Sequence, residues 1–386
     1  MIKEFFDKIR PHVEEGGKFH AFRSLFDGFE TFALVPNTTS RTGVAIHDAI
    51  DSKRIMSFVV IALIPALLVG MYNIGYQNYT LAGVEAGFFE MFAYGLVVML
   101  PKIVVSYVVG LGIEFVVAQW KNEEIQEGYL VSGMLIPMIV PVATPLWMLG
   151  VAVAFSVIFA KEIFGGTGMN IFNPALVARA FLFFAWPTWM SGDKVWVSTS
   201  SVMGLGCNLP DSFTCATPLG DAASGIASTV SPMEMVCGLM PGSIGETSVV
   251  AIAIGAAILL LTRIASWKTM GGVFLGGVLT ALLFDAVCSP ENMVAHLGLN
   301  HLWLGGFCFG AVFMATDPVT GCRTEKGKYI YGFLIGALAI TIRVLNPGYP
   351  EGMMLAILFM NMFAPLIDYC FVQRNINKRA KRVAKR

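Results

Sequence analysis

Ten runs of apolar residues, separated by short breaks, constrain this chain more than any other feature. They lie near 55–75, 88–119, 129–143, 145–164, 170–187, 249–265, 270–288, 301–317, 329–345 and 352–372. A hydrocarbon core about 30 Å thick takes roughly 20 apolar residues as a helix. Within it every backbone N–H and C=O needs a partner inside the protein, so such runs fold as helices. The third run is short and holds Pro137 and Pro141; the second is long and carries Pro101 and Lys102. The expected class is an all-α, polytopic membrane protein with about ten transmembrane helices. Composition agrees: 13% of residues are charged, against roughly 25% in soluble domains. The formal net charge is zero, so bulk charge points to no partner.

The placement of charge is more informative than its sum. The first 54 residues carry eight basic residues, and the chain ends in the basic stretch "RNINKRAKRVAKR". Cytoplasmic segments of membrane proteins are enriched in Lys and Arg. With both ends cytoplasmic, the spans must be even in number. Segments 76–87, 289–300 and 346–351 then fall outside and hold no Lys or Arg, and 188–248 holds only Lys194. Lys121, Lys161, Arg263, Lys268, Arg323, Lys326 and Lys328 fall inside, with Arg179 and Arg343 as exceptions within spans. The expected parts are a cytoplasmic segment 1–54, a membrane domain 55–372 with an outward loop 188–248, and a basic cytoplasmic tail 373–386. No cleavable leader pattern is visible at the start.

Residues 18–35 place Phe19, Phe22, Phe26, Phe29 and Ala33 on one helical stripe. That pattern suits a helix lying in the membrane interface, either as an anchor or as a wall of a lipophilic pocket. The seven cysteines form no C-x-x-C pair and the five histidines are scattered, so neither disulfides nor a metal site is expected. Weak likeness between "FAKEIFGGTGMNIFNPALVARA" and "FGAVFMATDPVTG" suggests five spans repeated in inverted order.

Ionisable groups within apolar runs are costly and point to function. Glu114, Glu162, Asp317 and Asp368 stand in or beside spans, and Glu246 stands at the outer end of the sixth. Carboxylates suit Na⁺ or a proton; the plainer role is a helix-end acid held by caps. Phe309 and Phe313, at i and i+4, would pack or form a constriction that gates ions by dewetting. Asn170 and Asn173, beside glycines 165, 166 and 168, would cap the next helix or face the polar edge of a heteroaromatic ring such as an isoalloxazine. In the outward loop, "DSFTCATPLG" sets Thr217 before a proline, which favours an extended, modifiable hydroxyl.

Several of these phrases together resemble one family. Asp211, Thr214, Ala216 and Thr217 fit the D-x-x-[ST]-x-A-T pattern at which flavin transferase attaches FMN to threonine. "KEIFGGTGMNIFNPALVARAFLFFAWP", "PGSIGE", "FMATDPV" and "RVLNPGYPEGMMLAILFMNMFAPLID" are similar to the B subunits of Na⁺-translocating NADH:quinone reductases. The resemblance implies covalent FMN on Thr217, and non-covalent riboflavin beside Asn170 and Asn173. It implies a quinone site around Gly110, Glu114 and the aromatic stripe of Phe22, Phe26 and Phe29. It links Glu114, Glu246, Asp317 and Asp368 to Na⁺, whose path the Phe309 and Phe313 constriction would gate. It further implies a urea-transporter-like inverted repeat in a bacterial inner membrane, within a six-membered complex whose other members are the A, C, D, E and F subunits. No G-x-G-x-x-G stands between a strand and a helix, so NADH would be oxidised on a partner. The chain departs from the family pattern at Ser212, Cys215 and Leu111, where glycines are usual. The alternatives are the D subunit of the related Rnf ferredoxin:NAD⁺ oxidoreductase, a flavin-free channel or solute transporter, and a purely structural subunit.

Overall fold

The computed structural model describes residues 2–13, 26, 30, 34, 52–121, 128–210, 214–228, 230–289, 292–346 and 348–383. Among them the protein is all-helical, with one isolated bridge between Val202 and Leu205. A short helix, α1 (Ile2–Val13), precedes the bundle. The first half of the bundle is α2 (Ser52–Ala82), α3 (Phe88–Lys121), α4 (Tyr129–Ile139), α5 (Leu146–Ser156) and α6 (Pro174–Ala185). Two short helices, α7 (Pro218–Ala223) and α8 (Pro232–Cys237), lie in the long loop. The second half is α9 (Val249–Leu261), α10 (Trp267–Val287), α11 (Phe307–Phe309), α12 (Glu325–Leu345) and α13 (Met353–Val383).

Among the described residues, six helices are long and apolar enough to cross a membrane, one of them α5 with its continuation to Phe164. A seventh arises if the bent pair Ala295–Leu302 and Phe307–Met314, which meet at 47°, is one span. The three shorter apolar helices are α4, α6 and α9. The expected ten segments are therefore unequal. α4 stops at Ile139 because Val140, before Pro141, is extended (ψ 154°), as a residue preceding proline prefers. The run at 301–317 is likewise broken rather than continuous. α6 starts at Pro174, where Asn173 accepts the Ala175 N–H as an N-cap and proline takes the first helical position. The basic tail continues α13 as helix through Val383.

The chain alternates between two ends of the bundle. The loop end gathers parts of the long loop with 304–305 and 348–351. The opposite, terminal end gathers 55–59, 167–174, 264–265 and 316–319. Of the aromatic stripe, Phe26 packs edge-on against Phe6 of α1 at 5.6 Å. Phe22 and Phe29 lie outside the described residues, as does Asp211.

Helix crossings are set by glycine. Lipid gives apolar helices little hydrophobic reason to associate, so close backbone packing takes over. On α10 and α12, Gly272 and Gly276 face Gly332 and Gly336. A Cβ on Gly336 would sit 2.0 Å from the Val273 carbonyl oxygen, and one on Gly276 would sit 2.1 Å from that of Phe333. Gly271, one residue away, has open space at the same position. Gly336→Ala is therefore expected to force the helices apart and cost about 1–3 kcal/mol, whereas Gly271→Ala leaves stability unchanged. Thermal unfolding of the two variants in detergent checks this.

Candidate functional site

The long loop is fastened to the bundle rather than hung from it. Asn78 of α2 donates to the carbonyls of Ser198 (2.8 Å) and Cys207 (3.0 Å) and accepts the Cys207 N–H (2.7 Å). Tyr94 of α3 donates to the Ser200 carbonyl at 2.7 Å, and the Tyr79 hydroxyl accepts the Gly206 N–H at 2.9 Å. Gly206 has a positive φ of 77°, and a Cβ there would fall 2.2 Å from the Tyr94 ring. Asn73 donates to the Met240 carbonyl at 2.9 Å. Buried polar side chains thus hold the loop's backbone in one shape.

That shape encloses a cavity of about 270 Å³ at the loop end. Thr217 lies on its wall and N-caps α7, its hydroxyl accepting the Gly220 N–H at 3.1 Å. Thr214, three residues earlier, is exposed. Phe183, Trp196 and Tyr349 supply aromatic surface, and Asp193 and Gly220 supply polar surface. The floor is charged. Arg179 of α6 donates to Glu246 at 2.6 Å and also to Glu351, and Tyr349 donates to Glu351 at 3.3 Å. Arg179 and Glu246 are both buried. Small-molecule cavities start near ~300 Å³. At about 270 Å³ this cavity lies just below that size, and its aromatic walls and the Thr217 hydroxyl are groups that a flavin nucleotide could use.

A second cavity of about 90 Å³ lies at the terminal end. Asn170, Asn173, Asp317, Phe313, Lys161 and Thr316 line it. Asn173 spends its carbonyl on the α6 cap and donates to Asp317 at 3.3 Å. Asn170 accepts the Gly168 N–H at 3.3 Å and donates to the Phe172 carbonyl at 3.1 Å. Asp317 also accepts from Val319 N–H at 2.9 Å and Thr320 hydroxyl at 3.0 Å. Both amides are engaged in turn and cap bonds.

Between the two cavities stands a dry aromatic pair. Phe309 and Phe313 are buried, their ring centroids 5.0 Å apart. Phe313 lies in the π turn Gly310–Met314 that continues α11. The Phe309 ring lies 3.1 Å from where a Cβ on Gly245 would be, beside Met138. Glu246 and Asp317 are thus brought to opposite sides of one constriction.

Glu114 is elsewhere, buried in α3 and paired with Lys161 of the π turn Val157–Lys161. Its Oε2 has no hydrogen-bond partner among the described residues. Gly110, one turn earlier, is pressed on the Tyr129 ring; a Cβ would fall 1.9 Å from it. Glu162 pairs with Lys121 at 3.6 Å. Asp368 accepts from the Arg323 and Thr324 N–H groups at 2.8 and 3.0 Å and from the Thr324 hydroxyl at 2.6 Å. It ties α13 to the start of α12.

Comparison with known proteins agrees with this architecture. The description "NQR2, RnfD, RnfE family" matches residues 39–377. The chain belongs to that family. The B subunit of a Na(+)-translocating NADH-quinone reductase from Chromohalobacter salexigens is 43% identical, covering 99% of this chain and 97% of the relative. Proteins of the same description from Pseudomonas aeruginosa and Klebsiella pneumoniae are each 42% identical, covering 99% of both chains.

Sequence reasoning missed Lys161 and Glu351 as partners. An acid in an otherwise neutral outer segment, opposite an arginine in a span, was the available signal for Glu351. For Lys161 there was none beyond its position at a span end. Breaking one side of a buried ion pair strands a charge. Lys161→Met is expected to cost about 3–5 kcal/mol, and Glu114→Gln added to it to recover most of that loss, as read by thermal unfolding of the pair of variants. In the loop, burial and then the charges of Asp221 and Asp193 push the Cys215 thiol up to about 11. Each unit above the ordinary value removes tenfold of the reactive thiolate at neutral pH. Iodoacetamide at pH 8 should therefore label Cys215 about a hundredfold more slowly than an exposed cysteine, and Asp221→Asn should speed it, as followed by peptide mass spectrometry.

Proposed function

We propose that this chain is the B subunit of a Na⁺-translocating NADH:quinone reductase, with FMN joined to Thr217 through a phosphoester. The observation that carries the reading is the position of Thr217. The one threonine that completes the flavinylation pattern lines a cavity with aromatic walls, at the end of the bundle poor in Lys and Arg. By the positive-inside rule that end faces outward, within reach of a flavin transferase outside. Similarity over 99% of the chain to relatives described as B subunits favours this over the D subunit of an Rnf complex. A flavin-free channel would have no use for a loop fastened so closely around Thr217.

When bound, the flavin supplies redox chemistry, and the protein supplies position and electrostatics. Asp193 and the aromatic walls would orient the ring, while Arg179 stays engaged with Glu246 and Glu351. Quinone would be reduced at the terminal end, near Glu114 and Phe26. Glu246 and Asp317 would attract Na⁺ from either side of the Phe309 and Phe313 pair, which excludes water when closed. Riboflavin, the second flavin that the resemblance implies, would sit at the terminal-end cavity that Asn170 and Asn173 line. Partner subunits would oxidise NADH and complete the complex in a bacterial inner membrane, with both termini cytoplasmic.

The test is co-expression of the chain with a flavin transferase, followed by denaturing electrophoresis. A fluorescent flavin band is expected for the natural sequence and none for Thr217→Ala. A band that persists in Thr217→Ala would move the attachment elsewhere, and no band in either chain would remove the covalent flavin from the reading.

A further inference from the structure

The terminal end carries a charged groove that none of the roles above uses. It lies between the start of α12 and the extension of α13 beyond the apolar run, with a volume of about 1140 Å³. Arg323 and Lys326 stand on one wall, and Arg374, Lys378 and Lys381 on the other. The three residues of α13 are spaced by four and three, which puts them on one helix face. All five are exposed, and none has an acidic partner among the described residues. The groove's carboxylate, Glu325, is already held by Lys268 and by Lys328 at 2.7 Å. Arg379 and Arg382 of the same helix do not line the groove.

The level of the groove is as telling as its charge. Tyr369, Val372 and Ile376 are exposed apolar or aromatic side chains on α13. They mark where the helix leaves hydrocarbon, since aromatic residues favour the headgroup level. From Arg374 onward the exposed side chains of α13 are mainly polar or cationic. Clusters of Lys and Arg just past a membrane helix attract anionic headgroups. Guanidinium groups match phosphate oxygens with paired donors, and lysines add point charge.

We infer that this groove seats the headgroup of an anionic phospholipid, its phosphate held by Arg323 and Lys326 from one side and by Arg374, Lys378 and Lys381 from the other. The bound lipid clamps the end of α13 to the start of α12, beside the Asp368 tether. The inference is independent of the flavin reading.

The experiment uses full-length protein in detergent, titrated with phosphatidylglycerol, phosphatidylcholine or inorganic phosphate and read by native mass spectrometry. Phosphatidylglycerol is expected to remain as a discrete adduct, phosphatidylcholine is not, and equimolar phosphate does not displace the lipid. R374Q/K378Q/K381Q and R323Q/K326Q should each weaken lipid binding at least tenfold. R379Q/R382Q should change it less than twofold. The two variant sets lie on opposite walls, so misfolding of one leaves the other to decide. Equal retention of the two lipids would overturn the inference, as would an equal loss in R379Q/R382Q, which marks diffuse tail charge. Displacement by phosphate alone would make the site one for a free anion. Absence of any lipid adduct would leave the cations to a neighbouring protein subunit and sink the proposal.

Discussion

A helix that stops inside an apolar bundle leaves carbonyl oxygens that hydrocarbon cannot satisfy. This protein does so twice, and each break is met by a buried cation. After α4, Lys102 of α3 donates to the Pro141 carbonyl at 2.9 Å and to that of Val142. At the bent pair, Arg343 of α12 donates to the carbonyls of His301 (2.6 Å), Leu304 (2.9 Å) and Glu351 (2.8 Å). An unmet buried carbonyl costs on the order of 1–3 kcal/mol in proteins, so these cations decide whether the breaks exist at all. The breaks in turn make the site. The first lies beside the short α4, whose Ile139 carbonyl accepts from Ser243 at 3.3 Å. The second sets the backbone of Glu351, whose carboxylate faces Arg179. Arg343 therefore fixes one partner of the charged floor without touching the cavity's chemistry.

The close approach of helices is the second requirement. Gly95 of α3 meets the Met71 carbonyl of α2, and Gly255 of α9 leaves room for the Phe313 ring. Small residues here supply what the hydrophobic effect supplies in water, because lipid tails are as apolar as the side chains. Phe309 and Phe313 can stay dry only because Gly245 and Gly255 let neighbouring backbone approach them. The constriction is a product of glycine placement as much as of aromatic residues.

The class of fold was legible in the sequence because membrane helices announce themselves by length and apolarity. Helix interruptions were only half legible: Pro141 marked the first, but the bend between Leu302 and Phe307 has no proline, and its cause is a partner, Arg343, forty residues on. The site divides similarly. Thr217 could be singled out because a modification pattern is local. The roles of Asn170, Asn173 and Asp368 could not, because a cap and a ligand use the same side-chain atoms. Asp368 is taken up by the N–H groups of Arg323 and Thr324, a pairing across more than forty residues that no spacing rule reveals.

Two π turns lie close to the buried charges and rings described above. Val157–Lys161 carries the cation that neutralises Glu114, and Gly310–Met314 carries Phe313. A π turn bonds its backbone less well than an α-helix and is found mostly where function tolerates that cost. The first continues α5 and the second continues α11. Converting either to α geometry rotates the residues beyond it. In α11 that rotation would turn Phe313 and carry Asp317 with it. In α5 it would draw Lys161 away from Glu114. A ligand or redox change shifts such an equilibrium only if it interacts differently with the two forms. Lys161 meets that condition, because it borders the cavity that Asp317 lines and is bound to Glu114. The buried ion pair and the aromatic constriction thus border one small cavity.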